Sequence, residues 1–116
     1  MFTARMRKEE RLTRSSQFAA VFKEDKYWAN DFMVIKAMPN GLKQSRFGFV
    51  TSKKVGNAVV RNRVRRLLRE AVRLTPIESG WDIVIIARKE AAGKNYHQVE
   101  PKLRKLLNRA ELLGQG

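Results

Sequence analysis

"KKVGNAVVRNRVRRLLREAVRL", Lys53 to Leu74, decides how the rest of the chain is read. It holds eight positive residues (Lys53, Lys54, Arg61, Arg63, Arg65, Arg66, Arg69 and Arg73) against one acid, Glu70. That is a net +7, half of the chain's +14, in 22 of 116 residues. Asn57 is suited to cap a helix and Pro76 to stop one. Between them Val60, Val64, Leu67, Leu68 and Ala71 recur at helical spacing and share one side. Arg61, Asn62, Arg65, Arg66, Arg69 and Arg73 share the other side, with Arg65 and Arg69 mid-face and Arg63 toward the border. Arg61, Arg65, Arg69 and Arg73 follow one another at i, i+4, where like charges repel by about 0.2–0.5 kcal/mol per pair. A partner that removes this repulsion explains such a face, and arginine's planar fork suits phosphate. A solvated basic face with no partner is the bland alternative, and a membrane-surface or groove-binding helix is another. The apolar side is aliphatic and a strand follows it at once, so it is expected to face a core.

The flanking sequence supplies that core. "SSQFAAVFKED" opens with Ser15 as an expected N-cap, and Phe18, Val21 and Phe22 at i, i+3, i+4 predict a short amphipathic helix. "YWANDFMVIKAM" and "RFGFVTSK" predict two antiparallel strands, roughly Phe32–Met38 and Arg46–Ser52. A further short strand is expected near Tyr27. Between the two longer strands, Pro39, Asn40 and Gly41 carry turn chemistry. "WDIVIIA" is a nearly continuous apolar run, which suits a strand buried on both faces. "VEPKLRKLLNRAELL" sets Val99, Leu103, Leu106, Leu107 and Ala110 on one helical face, with Pro101 expected in or near the first turn. Residues 1–116 read as one α+β domain, and residues 1–14 as a mobile basic arm.

Composition limits the function. A pI near 11 points to a polyanion, most often nucleic acid. The absence of cysteine excludes disulfides and thiolate metal sites and suits a reducing cytoplasm. No apolar run approaches the roughly 18 residues of a membrane span, and no secretory signal is read at the N-terminus. The one histidine, His97, stands alone, and the eleven carboxylates are scattered without metal-ligand spacing. Nothing in the chain reads as a catalytic residue or a metal ligand.

"SKKVGNAVVRNRVRRLLREAVR" closely resembles the signature of the bacterial ribonuclease P protein subunit, whose hallmark triplet matches Arg61, Asn62 and Arg63. "RLTRSSQFAAVFK", "RFGFVTSKK" and "WDIVIIARK" resemble that family's first helix and the strands on either side of its basic helix. The resemblance implies the order helix–three strands–helix–strand–helix, with a four-stranded sheet and a left-handed βαβ crossover. Physical rules alone predict a right-handed crossover, the hand of about 98% of such units. The implied activity is removal of the 5′ leader from precursor tRNA, with the RNA subunit as catalyst and Mg²⁺ held mainly by RNA phosphates. Implied partners are that catalytic RNA and precursor tRNA, with no membrane and no small-molecule substrate. The implied RNA-binding residues are Lys53, Lys54, Arg61, Asn62, Arg63, Arg65, Arg66 and Arg69, the target of Arg63 being open. The implied leader-binding residues are Phe18, Phe22 and Lys36. Spacing alone slightly favours core packing for the two phenylalanines, partial exposure would allow both roles, and Lys36 stands where some relatives place an aromatic.

Four rival readings stand beside this one. "RFGFVTS" looks like part of the RNP1 strand of an RNA-recognition motif, but Arg46 stands where a glycine is wanted and Ser52 where an aromatic is. Phe47 and Phe49 are more simply core. A ribosomal-protein-like structural RNA binder is the main alternative, and a helix-turn-helix protein would need a helix, not a strand, before the basic helix. A protein-only nuclease would need clustered carboxylates.

Overall fold

The computed structural model describes residues 6–114. The elements are α1 (Ser15–Phe22), β1 (Trp28–Ala29), β2 (Met33–Pro39), β3 (Arg46–Thr51), α2 (Ala58–Arg73), β4 (Trp81–Ala87) and α3 (Tyr96–Arg109). The α+β class and the element order follow the sequence reading. Asn57 caps α2 by accepting from the Val60 N–H at 3.0 Å, and the helix ends at Arg73, three residues before Pro76.

The two longer strands are antiparallel, as read, but a third strand lies between them. The sheet order is β1-β2-β4-β3, with β4 antiparallel to β2 and parallel to β3. β2 and β3 run in opposite directions but are not neighbours; β4 lies between them. The apolar run of β4 is the reason: Asp82, Ile83, Val84, Ile85 and Ala87 are all buried, which only a central position allows. The Pro39–Asn40–Gly41 segment is a turn, but a wide one. The Asn40 side chain accepts from the Leu42 N–H and donates to the Gln44 carbonyl and to Asp82. Asp82 in turn accepts from Arg46, its register partner on β3, at 2.7 and 2.8 Å. This mostly buried pair fixes the β3–β4 register at one end of the sheet.

The hand of the crossover follows from residue chirality. Arg88 donates to the Phe32 carbonyl and Asn40 to that of Gly80, so the even-numbered residues of β2 aim their backbone polar groups at β4. The side chains of Lys36 and Met38 on those positions face α1. An L-residue viewed with its side chain forward on a rising strand has its N–H and C=O on the right. From the α1 side, β4 is therefore right of a rising β2, with β3 right of β4 and both descending. The chain passes from β3 behind the sheet through α2 and returns in β4, which is a left-handed crossover, as the resemblance implies.

The sheet separates two cores. Met33, Ile35, Ile83 and Ile85 meet Val64, Leu68, Val99, Leu103 and Leu107 from α2 and α3 on one face. On the other face the smaller cluster of Leu12, Val21 and Val84, with Phe18 packed against it, seats α1. Gly48 permits this seat. A Cβ placed there would lie 2.3 Å from Phe18 Cε1 and 3.2 Å from Leu12 Cδ1.

Three local expectations shift. Ser15 is the first helical residue and not the cap; the start of α1 is held by Gln17 Oε1, which accepts from Thr13 and Arg14 N–H. α3 starts at Tyr96, earlier than read, because Asn95 and Gln98 cap each other's backbone. Pro101 thus falls in the second turn. Residues 6–14 do not hang free as a mobile arm. Met6 and Leu12 are buried, Arg11 bridges Phe47, and Leu12 donates to the Phe47 carbonyl at 2.9 Å. The segment covers the open edge of β3; residues 1–5 of the same reading lie outside the described residues.

Gly48→Ala should cost about 1–3 kcal/mol in urea unfolding, because the methyl group drives Phe18 off the sheet. Phe18→Ala should cost less in that background than in the native chain, and additive losses would contradict the contact.

Candidate nucleic-acid interface

The basic residues of α2 stand on two flanks of the helix, divided by what packs beside them. One flank faces β3. Arg65 donates to Thr51 Oγ1 and to Asn62 Oδ1, which joins the triplet's asparagine to the end of β3. Arg69 lies with its guanidinium carbon 5.8 Å from the centroid of the Phe49 ring. Its Nε is buried and has no hydrogen-bond partner. Burial, then the like charges of Arg11, Arg65 and Arg66, pull the Arg69 pKa below its ordinary value. Arginine nevertheless stays charged at neutral pH. Arg65 and Arg69 are therefore half-buried against β3, not free at mid-face as the helical wheel suggests.

Arg11 completes this flank from the docked N-terminal segment. Its bridge to Phe47 places both residues on the same sheet face, the one α2 covers. Sequence reading missed it because a lone arginine in a charged, aperiodic stretch carries no signal of where it docks. Among the described residues, none of Arg11, Arg65 and Arg69 pairs with a carboxylate. Three like charges on one edge with a desolvated donor have the chemistry to hold an anion.

The other flank carries Arg63 and Arg66, both exposed, facing the start of α3. Arg73, at the helix end, is held by Glu70 at 2.7 Å and is not free to bind. Lys53 and Lys54 fall just past β3 in a 3-10 turn, Lys53–Val55, and both are exposed. Arg61 is half-buried in the first turns of α2.

The three residues read as leader-binding converge on the opposite sheet face but differ in role. Phe18 packs over Gly48 and is half-buried. The Phe22 ring is 42% exposed at the C-terminal end of α1. Lys36 Nζ donates to the Phe22 carbonyl at 2.8 Å, so the cation neutralises the end of α1 where carbonyls are left open. Val34, Val50 and Ile86 remain half-buried on this face, because α1 is only eight residues long and covers part of it. The result is a half-covered aliphatic face beside α1, with Phe18 packed against it and Phe22 exposed at the helix end.

The RNP1 reading meets the geometry badly. Phe47 is in the main core and Phe49 lies beneath Arg69, so neither is a free stacking platform. His97 is an exposed residue at the start of α3. Among the described residues no three His, Cys, Asp or Glu side chains converge as metal ligands.

Comparison with known proteins identifies the family. The family model for ribonuclease P matches residues 6–111. The chain belongs to the ribonuclease P protein family. It is 43% identical over 110 residues to the ribonuclease P protein component of Dehalococcoides mccartyi, covering 95% of this chain and 92% of that one. It is 40% identical over 104 residues to that of Caldanaerobacter subterraneus, covering 88% and 90%. Among solved structures, a Staphylococcus aureus RNase P protein mutant with defective mRNA degradation activity superposes with TM-score 0.82 at 31% identity, covering 91% and 92% of the two chains. The Thermotoga maritima RNase P protein gives 0.78 at 37% identity, covering 86% and 96%. The match begins at Met6, so the docked segment with Arg11 falls within the family's span.

Arg69→Met should leave the free protein as stable as the native chain, or about 0.5–1 kcal/mol more stable at low salt. Methionine keeps the contact with Phe49 and removes the repulsion from its arginine neighbours. The difference should shrink as salt screens the native cluster. Urea unfolding over a salt series checks this, and a clear destabilisation would show that Phe49 holds the guanidinium more strongly than its neighbours repel it.

Proposed function

We propose that this chain is the RNA-gripping, non-catalytic subunit of a ribonuclease P ribonucleoprotein, which removes the 5′ leader of precursor tRNA. The observation that carries the reading is the arginine cluster of α2, β3's edge and the docked N-terminal segment. It has no carboxylate partner among the described residues, and it includes a buried guanidinium donor left unbonded. A folded protein holds such a cluster at a cost, and an RNA backbone offsets that cost with charge-assisted bonds.

Arg61, Asn62, Arg65, Arg66 and Arg69, with Lys53, Lys54 and Arg63, bind the catalytic RNA through its phosphates. Arg65 and Arg69 are pre-set by Thr51, Asn62 and Phe49, so little side-chain freedom is lost on binding. On the other sheet face the half-covered surface beside α1 takes the unpaired leader. Phe22 presents a free ring to a base, and Phe18 and the aliphatic floor add an apolar wall. Lys36 is committed to the end of α1 and acts by holding that helix in place. The ions that the family's chemistry needs are held mainly by RNA phosphates in this reading; among the described residues no three His, Asp or Glu side chains converge on a common point. A ribonucleoprotein of this kind works in the cytoplasm, where the absence of cysteine is no handicap.

Pure protein with Mg²⁺ should leave precursor tRNA intact, and addition of a bacterial ribonuclease P RNA should yield a mature 5′ end. Cleavage by RNA-free protein would end this reading. In the reconstituted enzyme, Phe22→Ala should weaken a long-leader substrate by about 1–3 kcal/mol, with little effect on one carrying a single leader nucleotide. Since the ring is exposed, the melting temperature should fall far less than the roughly 3–5 kcal/mol cost of a buried phenylalanine implies. Equal losses on both substrates together with early melting would return Phe22 to the core.

A further inference from the structure

The second flank of α2 borders a groove that the phosphate contacts leave unused. It is an open cavity of about 710 Å³ between α2 and the start of α3, lined by Arg63, Arg66, Leu67, Leu74, Lys94 and Tyr96 beside Glu70. Its floor is mostly apolar. Leu74 is 52% exposed at the end of α2, and the half-buried Tyr96 lines the same groove. Its rim is basic. Arg63, Arg66 and Lys94 make no ion pair among the described residues, and the one acid, Glu70, is held by Arg73. Burial, then Glu100 and Glu70, raise the Tyr96 pKa, so its phenol stays protonated and the floor stays neutral.

Resting on the RNA-binding reading above, we propose that this groove receives one unpaired nucleobase of the RNA subunit. The base lies on Tyr96, Leu67 and Leu74, while the phosphates on either side of it meet Arg63, Arg66 and Lys94. A mostly apolar floor with an aromatic ring suits a base face, and three cations without a carboxylate partner among the described residues suit the backbone that carries it; Lys94 rests its ammonium 5.7 Å from the Phe32 ring centroid. A base within a duplex is already stacked and does not enter. The groove is continuous with the proposed interface, because Arg63 and Arg66 belong to the same helix as Arg61, Asn62 and Arg65. It also gives Arg63 a target, at the border between the apolar and polar sides of α2. A protein partner on this rim would have to be acidic, and it would leave RNA affinity indifferent to the groove.

The test uses the full chain with a bacterial ribonuclease P RNA, binding measured over a salt series and melting recorded for each variant. Tyr96→Leu and Leu74→Glu should each weaken binding about tenfold, and Tyr96→Phe should bind within twofold of the native chain. Tyr96→Leu should leave the salt slope unchanged, because stacking releases no counterions, whereas Lys94→Ala should reduce it by about one. Ultraviolet crosslinking of the native complex should give a peptide containing Tyr96 or Leu74 joined to a single nucleotide. Arg61→Ala/Arg65→Ala separates the two readings. If that pair weakens binding while the groove variants match the native chain, the base site is wrong and the RNA-binding reading stands. If neither set weakens binding, the RNA-binding reading falls too. Should Tyr96→Leu melt early, Leu74→Glu and the crosslink decide, and adducts found only elsewhere overturn the proposal.

Discussion

A strand that is apolar on both faces has to lie inside a sheet, and in this fold that strand is β4. Ile83 and Ile85 face the large core while Val84 faces α1, and all three are fully buried. Its central place separates β2 from β3 and turns an apparent hairpin into two strands flanking a third. β3 then runs parallel to β4, and a parallel neighbour can be reached only by a crossover. That crossover is α2. The position of the basic helix, across one face and along the edge of β3, is thus a consequence of the burial of β4. α1 is left alone on the opposite face, where its eight residues cannot close the surface.

The two faces balance stability against use in different ways. On the α2 side the apolar stripe of Val64, Leu68, Ala71 and Val72 is buried, which holds the helix whatever its charges do. Each buried aliphatic side chain contributes roughly 1.5–3 kcal/mol, several times the repulsion of one arginine pair. The helix can therefore carry an unfavourable polar face without leaving the sheet. On the α1 side the margin is thinner. One small cluster, a ring packed on Gly48 and a lysine on the last carbonyls hold the helix. That is enough to seat α1 while leaving the Phe22 ring in solvent.

Periodicity made the helices and the class of the fold legible, since a 3.6-residue apolar stripe and a doubly apolar strand leave few alternatives. Pairing was less legible. Pro39, Asn40 and Gly41 announce a turn but not its width, and only the burial of β4 shows that a strand enters between β2 and β3. Charge was legible as a quantity and not as a geometry. A helical wheel gives Arg65 and Arg69 the middle of a free face, because it does not include the edge of β3 beside them. Arg11 was invisible, since its role depends on a single bridge to Phe47 far away in sequence. The crossover's hand ran against the usual rule, and the rule expresses a bias of twisted sheets that a particular packing can override.

The division of α2 into two flanks changes what kind of RNA surface fits it. A helix with one basic face can rest on one strand of phosphates. On the proposed reading, a helix with cations toward β3 and also toward α3, and with its third side in the core, would meet phosphate on both sides. The deep, narrow major groove of A-form RNA does not admit a helix in this way, and the shallow minor groove offers no walls. On the proposed reading, the matching surface would be a place where two RNA segments approach each other, with α2 filling the space between their backbones and offsetting charge that would keep them apart. On that geometry the repulsion among the arginines and the repulsion between the RNA segments are relieved by the same contact. A short helix with almost no acids is then better suited to the site than the interleaved, self-neutralised helix that local stability alone would select.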